Sequence, residues 1–192
     1  TIYPGFKLYK GDAVFTAGPK STSTKFFTAG HPAYTDTSTN TVYSNTNSGQ
    51  RKVVGTMSSA VFGSNGDKST ITISQIVQAF NLPNTNKFVI GSDTYTYTTN
   101  YIVGTAIEMH GAFSAISAGV IQDTNESIYI ETYDVTVTNL ARASYTCMKG
   151  DSGAGVFSSN AFNVPGYCYG IQSIGAFAGN SEVSSYSYFS KN

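Results

Sequence analysis

Ser127-Ile128-Tyr129-Ile130-Glu131-Thr132, continued by Asp134-Val135-Thr136-Val137-Thr138, decides the fold class. Its β-branched and aromatic residues alternate with period two, the pattern of a half-buried strand and not of a helix. The same composition recurs in Val53-Val54-Gly55-Thr56, Thr70-Ile71-Thr72-Ile73, Lys87-Phe88-Val89-Ile90 and Tyr95-Thr96-Tyr97-Thr98. Turn-forming clusters separate these runs: Ser44 to Gly49, Gly63-Ser64-Asn65-Gly66, Asn84-Thr85-Asn86, Asp123-Thr124-Asn125 and Ser158-Ser159-Asn160. Short strands punctuated in this way indicate an all-β sandwich or barrel. One stretch departs from the pattern. Ile76, Val77 and Phe80, at helical spacing before Pro83, predict a short helix over Ser74 to Leu82. No internal repeat or low-complexity linker divides the chain.

The 192 residues are 40% hydrophobic, enough for a core, but only 11% charged, against about 25% in ordinary domains. Eleven Lys+Arg balance eleven Asp+Glu, which argues against a nucleic-acid partner, because phosphate binding needs clustered cations. Twelve Phe and fourteen Tyr argue against intrinsic disorder. No run approaches the roughly 18–20 apolar residues of a membrane span. The uncharged polar surface, and a start at Thr1-Ile2-Tyr3-Pro4-Gly5 without Met or leader features, lead us to expect a secreted protein. Cys147 and Cys168 could close one loop in an oxidising compartment, two free buried thiols being the alternative. Neither has a second Cys or His nearby, so no metal site is expected.

Lys149-Gly150-Asp151-Ser152-Gly153-Ala154-Gly155-Val156-Phe157 reads as a glycine-flanked turn running into an apolar strand. Glycines around a serine permit unusual φ values, a close substrate approach and amides aimed in front of the serine oxygen. A nucleophile with nearby amide donors is what acyl transfer needs. Serine also needs a base, and the chain has only two histidines, His31 and His110. His31 ends Lys25-Phe26-Phe27-Thr28-Ala29-Gly30, an apolar strand with small residues before the imidazole. His110 lies in Glu108-Met109-His110-Gly111.

Thr28-Ala29-Gly30-His31 and Gly150-Asp151-Ser152-Gly153 together resemble the chymotrypsin-like serine proteases, nearest their bacterial secreted branch of streptogrisins and α-lytic proteases. The resemblance extends in order and spacing over most of the chain, through Ile102–Val120 and Gly170–Gly175. It implies two antiparallel six-stranded β-barrels, residues 1–90 and 91–192, with the site between them. It further implies a secreted, monomeric serine endopeptidase acting on polypeptides without cofactor or metal. His31 would be the base, Ser152 the nucleophile, and the amides of Gly150 and Ser152 the oxyanion hole.

The carboxylate is less clear by motif. Asp67 lies between His31 and Ser152, yet Lys68-Ser69-Thr70 follows it where the family has an apolar-small-apolar run. Asp134 fits that local pattern but falls late in the chain, and Asp93 is a further candidate. Asp67 is preferred. The off-pattern residues motivate an alternative, a catalytically inactive chymotrypsin-fold adhesin or binding module.

In the family, Asp151 would be structural, its buried charge needing a cation or several hydrogen bonds. Animal trypsins use a new N-terminus for this, and the bacterial branch uses an arginine where this chain has Ile116. Arg142 is the nearest arginine in sequence. Pro32 replaces a frequent cysteine, and Ala154 the second glycine. The resemblance places the substrate pocket at Thr146, Cys147, Ser173, Ile174 and Gly175. No carboxylate for Lys or Arg, and no histidine for acidic residues, lies in those stretches. A Cys147–Cys168 disulfide would brace the pocket wall, adding about 3 kcal/mol by loop closure.

Overall fold

The computed structural model describes residues 2–22, 24–45, 48–73, 88–90, 93–159 and 166–192. Strands β1 (Lys7–Lys10), β2 (Ala13–Thr16), β3 (Lys20–Thr22), β4 (Lys25–Thr28), β5 (Thr41–Asn45), β6 (Arg51–Gly63) and β7 (Gly66–Ile73) form one sheet. Its order is β2-β1-β5-β6-β7-β4-β3. The two edge strands, β2 and β3, are separated by just Ala17-Gly18-Pro19. Proline has no N–H to give a ladder, so regular pairing lapses there while the chain continues. Ala17 N–H donates to Phe6 O (2.8 Å) and Gly18 N–H to Phe27 O (2.8 Å), carrying the hydrogen bonding across the break. The sheet therefore closes on itself, with six strands when β2–β3 counts as one. Leu8, Phe15, Phe26, Val42, Val54, Met57 and Ile71 fill it.

The second sheet contains β8 (Phe88–Ile90), β9 (Asp93–Tyr97), β10 (Ala106–Gly111), β11 (Ala115–Ile130), β12 (Val135–Ala143), β13 (Gly155–Ser158), β14 (Gly166–Gly175) and β15 (Ser187–Lys191). Its order is β13-β10-β11-β12-β15-β14-β9-β8, and β13 also pairs with β14. That extra pairing closes a ring of six, leaving the β8–β9 hairpin appended in parallel to β14. Ile107, Met109, Ile121, Tyr145, Val156 and Phe189 are among its buried core. Phe88–Ile90, at the end of the segment assigned to the first unit, pair within this second sheet.

The alternating stretch at 127–138 forms a hairpin, with Ile128 opposite Val137 and Ile130 opposite Val135. A single 3₁₀ turn, Glu131–Tyr133, and a left-handed Asp134 (φ 49°) connect its strands. Asp123-Thr124-Asn125, expected as a turn, lies inside β11. Its turn chemistry is spent locally: Asn125 N–H donates to Asp123 Oδ1 (2.8 Å), and the β11–β12 register shifts there. The helix expected over Ser74–Leu82 falls outside the described residues. Among the described residues the sole α-helix is α1 (Pro32–Thr35), and no helix is long and apolar enough to cross a membrane.

Candidate active site

His31 sits where β4 gives way to α1, and Pro32 occupies the first helical position, where its missing N–H costs nothing. Asp67 is the second residue of β7, just after the β6–β7 turn at Gly63–Gly66. The antiparallel β4–β7 pairing brings their ends together. Asp67 is fully buried, and four donors converge on its carboxylate. Gly30 N–H (2.7 Å) and His31 N–H (2.8 Å) donate to Oδ1. His31 Nδ1–H (2.7 Å) and Ser173 Oγ–H (2.6 Å) donate to Oδ2. Burial pushes the Asp67 pKa up, but the His31 charge and these hydrogen bonds outweigh it and hold the carboxyl below its usual range. Burial likewise lowers the His31 pKa, and the Asp67 charge and hydrogen bond overcome it, leaving the imidazole above its ordinary value. With Nδ1–H committed to Asp67, Nε2 is left as the lone-pair nitrogen.

The other candidate carboxylates stand elsewhere. Asp134 is exposed and accepts from Tyr129 Oη (2.9 Å), and Asp93 begins β9 in the second sheet. His110 is buried against Phe157 and bonded to Glu108 (2.9 Å). The off-pattern residues after Asp67 are strand residues, and buried Ser69 among them donates to Ala29 O (2.8 Å).

Ser152 lines the same cavity as His31, a cleft of about 330 Å³ between the barrels. Its hydroxyl donates a long bond to Ser173 O (3.4 Å). The turn that carries it is strapped to the first barrel. Thr16 N–H donates to Ser152 O (2.8 Å), Thr16 Oγ1–H to Gly150 O (2.8 Å), and Thr28 Oγ1–H to Thr16 O (2.7 Å). Gly150 (φ +99°) and Gly153 (φ +95°) adopt backbone angles that strain a side chain. A Cβ on Gly153 would also lie 2.1 Å from Thr28 Oγ1. Gly153 N–H is used by Gln172 O (2.8 Å), whereas the amides of Gly150 and Ser152 have no backbone acceptor among the described residues.

Asp151 is fully buried and has no cationic partner among the described residues. Phe113 N–H (2.9 Å) and Ser114 N–H (3.2 Å) donate to Oδ1, and Met148 N–H (2.8 Å) and Ser114 Oγ–H to Oδ2. The expected Arg142 partner is thus corrected: that guanidinium lies 3.6 Å from Glu126 on the β11–β12 hairpin. Four donors match the four lone-pair sites of a carboxylate, so hydrogen bonds do what a cation does elsewhere. A Cβ on Gly111 would fall 2.3 Å from Asp151 Oδ1. Gly111→Ala is therefore expected to cost about 1–3 kcal/mol, read as a lowered Tm, because a carboxylate held from four sides cannot step aside.

Two pocket expectations need correction. Cys147 and Cys168 are free thiols, because they face different cores: Cys147 packs with Tyr145 and Phe189, Cys168 with Tyr95 and Phe157. Burial pushes both thiols' pKa up. Thr146 does not line the cleft; its Oγ1 and N–H face Ser117 Oγ (both 3.2 Å). Cys147, Ser173, Ile174 and Gly175 do line it. So do Phe62, Tyr133, Met148, Gln172 and Phe177, which sequence reasoning missed. These lie one or two residues from named ones, or far off along the chain on β6 (Phe62) and the 3₁₀ turn (Tyr133), and strand alternation alone does not say which of them a cleft receives. No group of three or more His, Cys, Asp or Glu suited to a metal occurs among the described residues.

No protein-family model and no curated protein matches the sequence. Solved structures do. The chain is similar to Nocardiopsis protease (TM-score 0.72, 23% identity, covering 99% of this chain and 92% of that one). It is similar to Thermobifida fusca protease A (TM-score 0.69, 22% identity, 99% and 91%) and to Cellulomonas bogoriensis chymotrypsin (TM-score 0.68, 19% identity, 99% and 91%). Two closed six-stranded barrels with a cleft between them, matched along nearly the whole chain, give this protein the chymotrypsin-like fold of the bacterial serine proteases.

Proposed function

We propose that the protein is a serine endopeptidase with His31, Asp67 and Ser152 as its triad. The observation that carries this is the His31 Nδ1–Asp67 Oδ2 contact of 2.7 Å beside a serine on the same cleft. It fixes the tautomer whose Nε2 can accept a proton. Ser152 rotates its hydroxyl from Ser173 O to His31 Nε2. Oγ attacks the scissile carbonyl as its proton passes to Nε2, and the carbonyl π pair moves onto oxygen. The Gly150 and Ser152 amides, free of backbone acceptors among the described residues, receive that oxyanion. Collapse expels the amine, which takes the proton from His31, and leaves an acyl-Ser152 ester. Water, deprotonated by the same nitrogen, attacks the ester and restores the serine. The substrate backbone pairs as an added strand along Ser173–Gly175. The low charge and Ser/Thr/Asn-rich surface support an extracellular, monomeric enzyme.

A fluorophosphonate probe tests the reading: it should label wild type at Ser152, and failure to label the folded protein overturns it. The pH dependence is a second check. A base must be neutral to act, and the His31 pKa is raised above 6.5. The acid limb of kcat/KM should therefore have its midpoint above pH 6.5, falling about tenfold per pH unit below it. An acid limb centred below pH 6.5 would count against His31 as the base.

A further inference from the structure

The cleft is closed in at Gly175 on β14, where a Cβ would lie 2.6 Å from Cys147 Sγ and 2.6 Å from Phe177 Cε2. The thiol and the phenyl ring therefore already pack on the bare Cα of Gly175. At this point of the cleft the chain's own side chains occupy the space over Gly175.

Both walls are tied into the second barrel. Cys147 N–H donates to Ser184 Oγ (2.8 Å), and Ser184 N–H returns a bond to Cys147 O (2.9 Å). A buried chain fixes the thiol from below: Tyr145 Oη–H donates to Gln172 Oε1 (2.6 Å), and Gln172 Nε2–H to Cys147 Sγ (3.3 Å). Phe177 packs against the second barrel's core. Its neighbour Ala176 is tied at both backbone groups, N–H to Tyr186 O (3.0 Å) and O from Ser185 N–H (2.8 Å). Among the described residues no carboxylate lines the cleft, so a basic side chain has no counter-ion there.

We propose that this chain cleaves after small residues, alanine or valine at P1, and that Phe177, backed by Cys147, is the residue that excludes larger ones. The inference rests on the peptidase reading above. A methyl or isopropyl group fits without moving the ring, whereas a P1 phenyl must displace it. Discrimination by pocket size reaches about 10- to 200-fold per step of bulk.

The test uses peptide p-nitroanilides that differ only at P1. Wild type should show kcat/KM for P1 Ala or Val at least about tenfold above P1 Phe. Phe177→Ala should raise the ratio of P1 Phe to P1 Ala kcat/KM at least about tenfold. Phe177→Val serves if the alanine variant does not fold. Equal rates on Ala and Phe in wild type, or folded variants that gain nothing, overturn the proposal. Calorimetry on Ser152→Ala with product peptides ending in Ala or Phe reads the slot without chemistry. Preference of Ser152→Ala for the Ala-ended product, when wild type cleaves none of the p-nitroanilides, would sink the peptidase reading and keep the slot. Equal binding, or none, overturns the slot.

Discussion

Ser152→Ala is expected to abolish fluorophosphonate labelling and to lower kcat by about 10⁴–10⁶, with little change in fold. The side chain does almost nothing for stability. Its hydroxyl makes the 3.4 Å contact with Ser173 O, too long to contribute much, and the turn is held by backbone groups of Ser152, Gly150 and Gly153 that alanine retains. Thermal unfolding should thus match wild type while peptide cleavage disappears. Cleavage by Ser152→Ala at the wild-type rate would refute the assigned nucleophile.

Asp67 is the opposite case, because in the proposed triad it would serve chemistry and structure at once. Asp67→Asn places an NH₂ where Oδ1 or Oδ2 now accepts two donors each. With the amide nitrogen at Oδ2, the His31 proton moves to Nε2, and the base loses its lone pair toward Ser152. We expect kcat/KM at neutral pH to fall about 10⁴-fold. Asp67→Ala goes further, leaving the Gly30 and His31 amides and the Ser173 hydroxyl without acceptors, at about 1–3 kcal/mol each if none is resolvated. A fall in Tm from Asp67→Ala that Ser152→Ala does not show would separate the two roles. The sign of the pH effect follows from the lowered Asp67 pKa: the carboxylate's contribution is present above its unfolded value near 3.8 and is lost as pH falls through its folded value. The raised His31 pKa acts in the other direction, its contribution present below pH 6.5 and lost as pH rises through the folded value. The ion pair's support is greatest at mildly acidic pH, where His31 is protonated and, on the peptidase reading, turnover should be slow.

The architecture was legible wherever a local pattern and a global need coincide. Ile128 and Val135 alternate because one face of their hairpin packs inward, and Gly63-Ser64-Asn65-Gly66 turns the chain between two long strands. Asp123-Thr124-Asn125 misled because an Asx bond serves a bulge as well as a turn. The approach of His31 to Asp67 was signalled by motif and order, yet Lys68 to Thr70 clouded it. In space those residues are simply the rungs pairing β7 with β4 and β6. Contact between parts that carry no local signature stayed out of reach. The cysteines look like a pair along the chain and face different cores in space. Asp151 finds its donors at Phe113 and Ser114, a turn with no marking residue.

That carboxylate has a consequence for control. All four of its lone-pair sites are taken by amides and a hydroxyl of the second barrel. A newly cut chain end arriving there would find no acceptor left. Nor does the turn wait for one to become ordered, since the same bonds that build the second barrel set Gly150 and Ser152 in position. On the peptidase reading, latency by an unmade ion pair at Asp151 would not be open to this molecule. Folding itself would then set the site, and a delay in activity would have to come from something that covers the cleft.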